Sequence, residues 1–176
     1  MPRHKSFVNR WSTAALVIGA LIYLETRNLS AASRAVSAAL IVGGGIQSWS
    51  DIETRTVRRV ITCAMGVFVG AMYIHSGQLI SIETTVAIAV GLVFWAIHHV
   101  RQMALGFGDV LLSPVLTLCV AWFDVQTVPV WLFLASLGAV ATAAIHRQNH
   151  VAFVPWLVGS AIVVVMITSN TRMGLM

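Results

Sequence analysis

The chain is short of charge. Asp, Glu, Lys and Arg make up only 10% of its 176 residues, and just six of those are acids. A soluble domain carries about 25% charged residues. With 58% of residues hydrophobic and a mean hydropathy of +0.86, the chain cannot cover its surface with polar groups. A water-soluble globular protein is therefore excluded, and lipid is the expected solvent. Cysteine is nearly absent. Cys63 and Cys119 each lie inside an apolar run with no partner at metal-ligand spacing. That excludes a structural zinc site and a disulfide framework, and both read as small core residues. No Pro-, Gly- or Ser-rich linker and no internal repeat interrupts the chain. Residues 1–176 therefore read as one domain, and no metal or cofactor is called for.

What is present is a series of long apolar runs. They lie near Trp11–Leu24, Ala31–Ser50, Val60–Ile74, Ile80–Ile97, Val110–Trp122, Val128–Ile145 and Val151–Thr168. A spanning helix needs about 20 apolar residues, so several runs must borrow from their flanks. The runs are continuous rather than alternating, which is the pattern of helices and not of barrel strands. The expected fold is all-α, a polytopic bundle of about six to seven membrane helices. "VGGGIQS" and "GVFVGAM" place small residues where helices can approach closely. The first run, with its basic start, is read as a retained helix rather than a cleaved signal. Trp11, Trp122, Trp131 and Trp156 fall near span ends, where amphipathic rings usually sit.

The net charge of +5 and a pI near 10.3 would suit nucleic acid, but the placement of the charges does not. With the N-terminus in the cytoplasm and the helices alternating, Arg3, Lys5, Arg10, Arg55, Arg58, Arg59, Arg101 and Arg147 fall inside. Arg27, Arg34 and Arg172 fall outside. Such an excess of cations inside is the positive-inside rule. The basic balance thus becomes a topology signal for the inner (plasma) membrane, and no nucleic acid is implied. His98 and His99, beside Arg101, have no carboxylate or cysteine at short spacing and read as interfacial rather than metal-binding.

Two of the six acids stand out. Asp51 ends the second run, in "IQSWSDIETRTVRRVIT", and Asp109 opens the fifth, in "GFGDVLLSP". Alternating helices put both at the same cytoplasmic boundary. Two carboxyls that meet there can share a proton, because close like charges do not both ionise. Such a pair activates water and polarises a carbonyl. Gly106 and Gly108 permit backbone angles and close approaches that other residues resist. Taken singly, each aspartate also fits an ordinary role: Asp109 as a cap at a helix start, Asp51 as a loop acid beside Arg55.

These motifs resemble those of the type IV prepilin peptidase family, the G-x-G-D membrane aspartic peptidases. Asp51-Ile-Glu-Thr54-Arg55-Thr-Val57-Arg58-Arg59-Val-Ile61-Thr62 resembles the family's first motif. Gly106-Phe-Gly108-Asp109-Val110-Leu111-Leu112 resembles the second. "VAFVPWLVGSA", from Val151 to Ala161, keeps Phe153, Pro155 and Leu157 of a third. Leu111 stands where the family usually has lysine, and Arg58-Arg59 where it has Pro-Asn. The resemblance covers about residues 35–165. It implies a membrane aspartic endopeptidase with Asp51 and Asp109 catalytic, and with Gly106, Gly108, Arg55 and Pro155 supporting the motifs or the substrate. The implied substrate is a prepilin-like protein whose short basic leader is cut at the inner boundary of the bilayer. The four-cysteine methyltransferase insertion common in the family is missing, so neither zinc nor S-adenosylmethionine is implied. The competing reading is an inactive membrane assembly or transport protein whose aspartates are helix caps or ion relays.

Overall fold

The computed structural model describes residues 20, 29–54, 56–78, 80–100, 106–146 and 152–173. Apart from Ala20, the first expected span lies outside these residues, as does Arg55. The described chain forms six helices. The first, α1, runs from 31 to 54. It opens at Ser30, whose hydroxyl accepts the Ser33 N–H at 3.1 Å, a serine N-cap. It is α-helical over Ala31–Ala38, widens to a π-helical turn over Ala39–Gly43, and returns to α-helix over Gly44–Thr54. Then follow α2 (Arg59–His75), α3 (Ile82–Val100), α4 (Phe107–Ala121), α5 (Val128–His146) and α6 (Val154–Met173). A 3-10 turn, Val125–Thr127, leads into α5. No strand occurs among the described residues, in line with the all-α expectation.

Six of the seven expected spans coincide with these helices. Two stretches, Ile82–Val100 and Val125–Ile145, are long and apolar enough to cross a membrane, while Arg59–His75, Phe107–Ala121 and Val154–Ser169 are shorter apolar helices. At about 1.5 Å per residue, the 15 residues of α4 reach roughly 22 Å, against a hydrocarbon core of about 30 Å. The sequence count of seven spans thus becomes six described helices, two of them of full spanning length.

The contacts sort the helix ends into two groups. At one end, Trp122 donates its indole N–H to Ser33 Oγ at 3.3 Å and meets the Tyr73 ring edge-on at 5.0 Å. The start of α1 and the ends of α2 and α4 therefore gather there. At the other end, the end of α1 meets the start of α6 through Asp51 and Val154. The end of α3 also reaches that end: His98 lies 5.8 Å from Phe107 at the start of α4, and Phe94 stacks on Phe153 at 6.4 Å.

Helix α4 is the centre of the bundle, with Leu112, Ser113, Leu116, Thr117, Cys119 and Val120 all fully buried. Pro114 sits inside it. A proline removes the N–H that would bond the carbonyl four residues back, here that of Val110. The Ser113 hydroxyl donates to that carbonyl at 3.2 Å. The glycines of "VGGGIQS" are packing residues. A Cβ on Gly43 would lie 2.3 Å from Met65 Sδ, and one on Gly44 would lie 2.7 Å from Val158 Cγ1.

Two sequence expectations are corrected here. Cys119 is a core residue, but Cys63 is exposed. It follows Val60 and precedes Val67 on the outward stripe of α2, where both valines are exposed. Trp131 is not an interfacial ring. It is completely buried and donates its indole N–H to the Leu157 carbonyl at 2.8 Å, so α5 is pinned to α6 by the ring's one polar atom.

Candidate active site

Asp51 and Asp109 lie far apart in the sequence, yet both are held at the same end of the bundle. They are 8% and 9% exposed, which is unusual for ionisable side chains. Each accepts from an amide at a helix start, although Asp51 itself lies in the last turn of α1. Asp109 is in the first turn of α4, where its Oδ2 accepts the Gly106 N–H at 3.2 Å. Asp51 reaches across to α6, and its Oδ2 accepts the Val154 N–H at 3.3 Å. Both carboxyls thus accept from backbone amides that a helix start leaves without an intrahelical partner.

Asp109 stands just ahead of the apolar run that begins at Val110. Burial pushes its carboxyl up from 3.8 to about 6, and the Asp51 charge adds to the rise, while the Gly106 hydrogen bond opposes it. The two carboxyls therefore act on each other electrostatically. A pair of this kind holds a proton in a range where lone carboxyls are fully ionised.

The motif glycines have separate uses. Gly108 lies against the segment between α1 and α2. A Cβ there would sit 2.4 Å from Val57 Cβ and 2.6 Å from its Cγ2. Such distances are not tolerated, so only glycine lets α4 begin this close to the first motif. Gly106 carries the amide that Asp109 uses, and a Cβ there would lie 3.3 Å from Asp109 Oδ2. Pro155 is in the first turn of α6, beside the amide used by Asp51. A first-turn proline sacrifices no helical hydrogen bond. Arg55 lies outside the described residues.

Sequence reasoning missed two residues that build this end. Gln47, one turn before Asp51, is fully buried. Its Nε2 donates to the Arg58 carbonyl at 2.8 Å and to Thr62 Oγ1 at 2.7 Å. Its Oε1 accepts the Arg58 N–H at 2.9 Å. Val57, next to Arg58, is the surface on which Gly108 rests. An unpaired amide within an otherwise apolar run was the available signal for Gln47. Nothing local marks Val57. Ser50 adds a further tie, donating to the Thr56 carbonyl at 2.9 Å.

At the start of α4, the exposed Phe107 has two close neighbours. The Arg59 guanidinium lies 5.4 Å from its ring centre and the His98 ring 5.8 Å. Among the described residues, no three His, Cys, Asp or Glu side chains come together as a metal site.

The helical bundle thus gathers two buried carboxyls from separate motifs at one end. The sequence profile of the type IV leader peptidase family matches residues 38–145, a segment that contains both aspartates. The chain belongs to that family, and so to a family of peptidases. No curated protein and no solved structure matches the chain. Family membership, together with the two long apolar helices, points to a membrane protein.

Proposed function

We propose that the protein is an aspartic endopeptidase that removes the short basic leader of type IV prepilin-like substrates at the cytoplasmic boundary of the plasma membrane. Asp51 and Asp109 are its catalytic pair. One carboxylate takes a proton from water as the water oxygen attacks the scissile carbonyl carbon. The other, protonated, donates to the carbonyl oxygen as the carbon becomes tetrahedral. Collapse breaks the C–N bond, and a proton passes to the departing amine. The pair titrates as a unit, so neither carboxyl is fixed in one role.

What supports this reading is that both motif carboxyls are buried and the Asp51 charge raises the Asp109 carboxyl, within a chain of this family. The distribution of Arg and Lys supports the cytoplasmic orientation. A peptide cut at this boundary must leave its helix, because helical hydrogen bonds hold the carbonyl that water attacks. Leu111 removes a cation next to Asp109 relative to the family's usual motif, so the Asp109 carboxyl works without that neighbour.

The test is co-expression with a prepilin, read by the size shift on leader loss. Wild type cleaves. Asp51→Asn and Asp109→Asn each leave the precursor intact while remaining inserted in the membrane. Normal leader removal by either variant refutes the pair. A second reading, an inactive assembly or transport protein, draws on one observation: each aspartate accepts an amide at a helix start. It predicts that wild type leaves every prepilin uncut.

A further inference from the structure

We infer that Gln47 is the positioning residue that sets the separation of Asp51 and Asp109, a role that rests on the peptidase reading above. Gln47 lies one turn before Asp51 on α1, and its side chain pairs as a single peptide group would. It accepts the Arg58 N–H and donates to the Arg58 carbonyl, and its second N–H donates to Thr62. This locks the segment after Asp51 onto α1. Arg58 is also the residue from which α2 starts, so the same amide fixes where that helix begins.

From there the chain of contact is short. Val57 is covalently bound to Arg58, and Gly108 rests against Val57 so closely that a Cβ has no room. Gly108 precedes Asp109. Gln47 therefore holds the Val57 surface against which α4 begins, one residue before the second carboxyl. Loss of the Gln47 amide frees the Val57 surface, and the start of α4 is no longer held in register with the end of α1. The hydrogen bonds of the Gln47 side chain go to Arg58 and Thr62. Its effect passes through Arg58, Val57 and Gly108.

The experiment uses full-length protein in detergent or liposomes with a prepilin substrate. It compares wild type, Gln47→Leu, Gln47→Glu and Asp109→Asn. Leucine keeps the volume and removes every hydrogen bond. Glutamate keeps the acceptor for the Arg58 N–H but loses both donors. Gln47→Leu should lower kcat by about 10- to 100-fold, as expected for a displacement near 1 Å at a reacting centre, with KM changed by less than about threefold. Its pH profile should also move, because separating the carboxyls weakens the interaction that makes them share a proton. Gln47→Glu should fall between. Hydrogen exchange at the Arg58 amide should speed up in Gln47→Leu. If wild type cleaves, Asp109→Asn does not, and Gln47→Leu keeps the wild-type kcat and pH profile per folded molecule, the positioning role is overturned while the peptidase reading stands. If Asp109→Asn cleaves like wild type, the catalytic pair falls and the positioning role falls with it.

Discussion

Replacing Gly108 by alanine isolates the contact that brings the two motifs together. The new Cβ would lie 2.4 Å from Val57 Cβ and 2.6 Å from Cγ2. Carbon atoms in contact sit at about 3.5–4.0 Å, so the two backbones must part by at least about 1 Å. Overpacking of this kind costs roughly 1–3 kcal/mol, seen as a lower melting temperature in detergent. The effect on catalysis should be larger, because Asp109 is the next residue and moves with Gly108. A 1 Å error at a reacting group costs about 10²-fold in rate. The nearest atom is Val57 Cβ rather than its methyls, which makes the rescue specific. Val57→Ala keeps that Cβ and should not restore Gly108→Ala. Val57→Gly removes it and should restore most of the leader cleavage, less about 0.5–1 kcal/mol of stability from the added backbone freedom. Kinetics on the three single and two double variants decide the matter. Full activity in Gly108→Ala, or equal rescue by Val57→Ala and Val57→Gly, would show that the close approach of α4 does not set the carboxyl geometry.

Three further outcomes follow from the same geometry. The Asp109 carboxyl is raised from 3.8 to about 6, so the folded protein binds a proton that the unfolded chain has released. Its contribution to stability is full below about pH 4 and is lost as pH rises through about 6, by roughly 3 kcal/mol from this group. Asp109→Asn should flatten that slope in pH-dependent melting, and an unchanged slope would show that another group causes it. Asp51→Asn removes the neighbouring charge, so the Asp109 carboxyl should titrate lower in infrared difference spectra while staying above 3.8 because burial remains; no change would mean the two carboxyls do not interact. Ser113→Ala leaves the Val110 carbonyl opposite Pro114 without its hydroxyl donor, and should destabilise by about 1–3 kcal/mol, a loss that an unaltered melting curve would contradict.

The parts of this fold that are written locally were legible. Continuous apolar runs gave the positions of all six described helices, and the two aspartates stood out because acids are so few. The alternation of short connections put both at one end, and the contacts of Asp51 with α6 and of Gly108 with Val57 agree with that placement. What escaped depends on partners distant in sequence. A valine such as Val57 looks like any other apolar residue until another helix start is known to press on it. Trp131 sits near a span end and resembles an interfacial ring, but α6 crosses close enough for the Leu157 carbonyl to take its N–H. The π-helical turn at Ala39–Gly43 has no signature in residue type, because one extra residue per turn is set by what packs on either side. Cys63 went the other way: being small and apolar, it suits a core, but it lies on an exposed stripe of α2.

The capping and catalytic readings of the aspartates are less opposed than they look from sequence. Each helix start presents roughly +0.5 elementary charge and amides with no partner inside the helix. Here two such starts converge: α4 offers the Gly106 amide to Asp109, and α6 offers the Val154 amide to Asp51. Together they supply about one positive charge. Two carboxyls that share one proton carry one negative charge. These fixed dipoles oppose the charge that a singly protonated pair would carry. That balance favours the state the proposed reaction needs, and a full cation beside Asp109 would lower the pH at which the pair takes up its proton. Leu111, where the family usually has lysine, fits the same arrangement. A Leu111→Lys variant should lower the pH at which the pair takes up its proton and move the pH optimum of leader cleavage downward. An optimum that stays in place would mean that residue 111 lies too far from the pair to affect it.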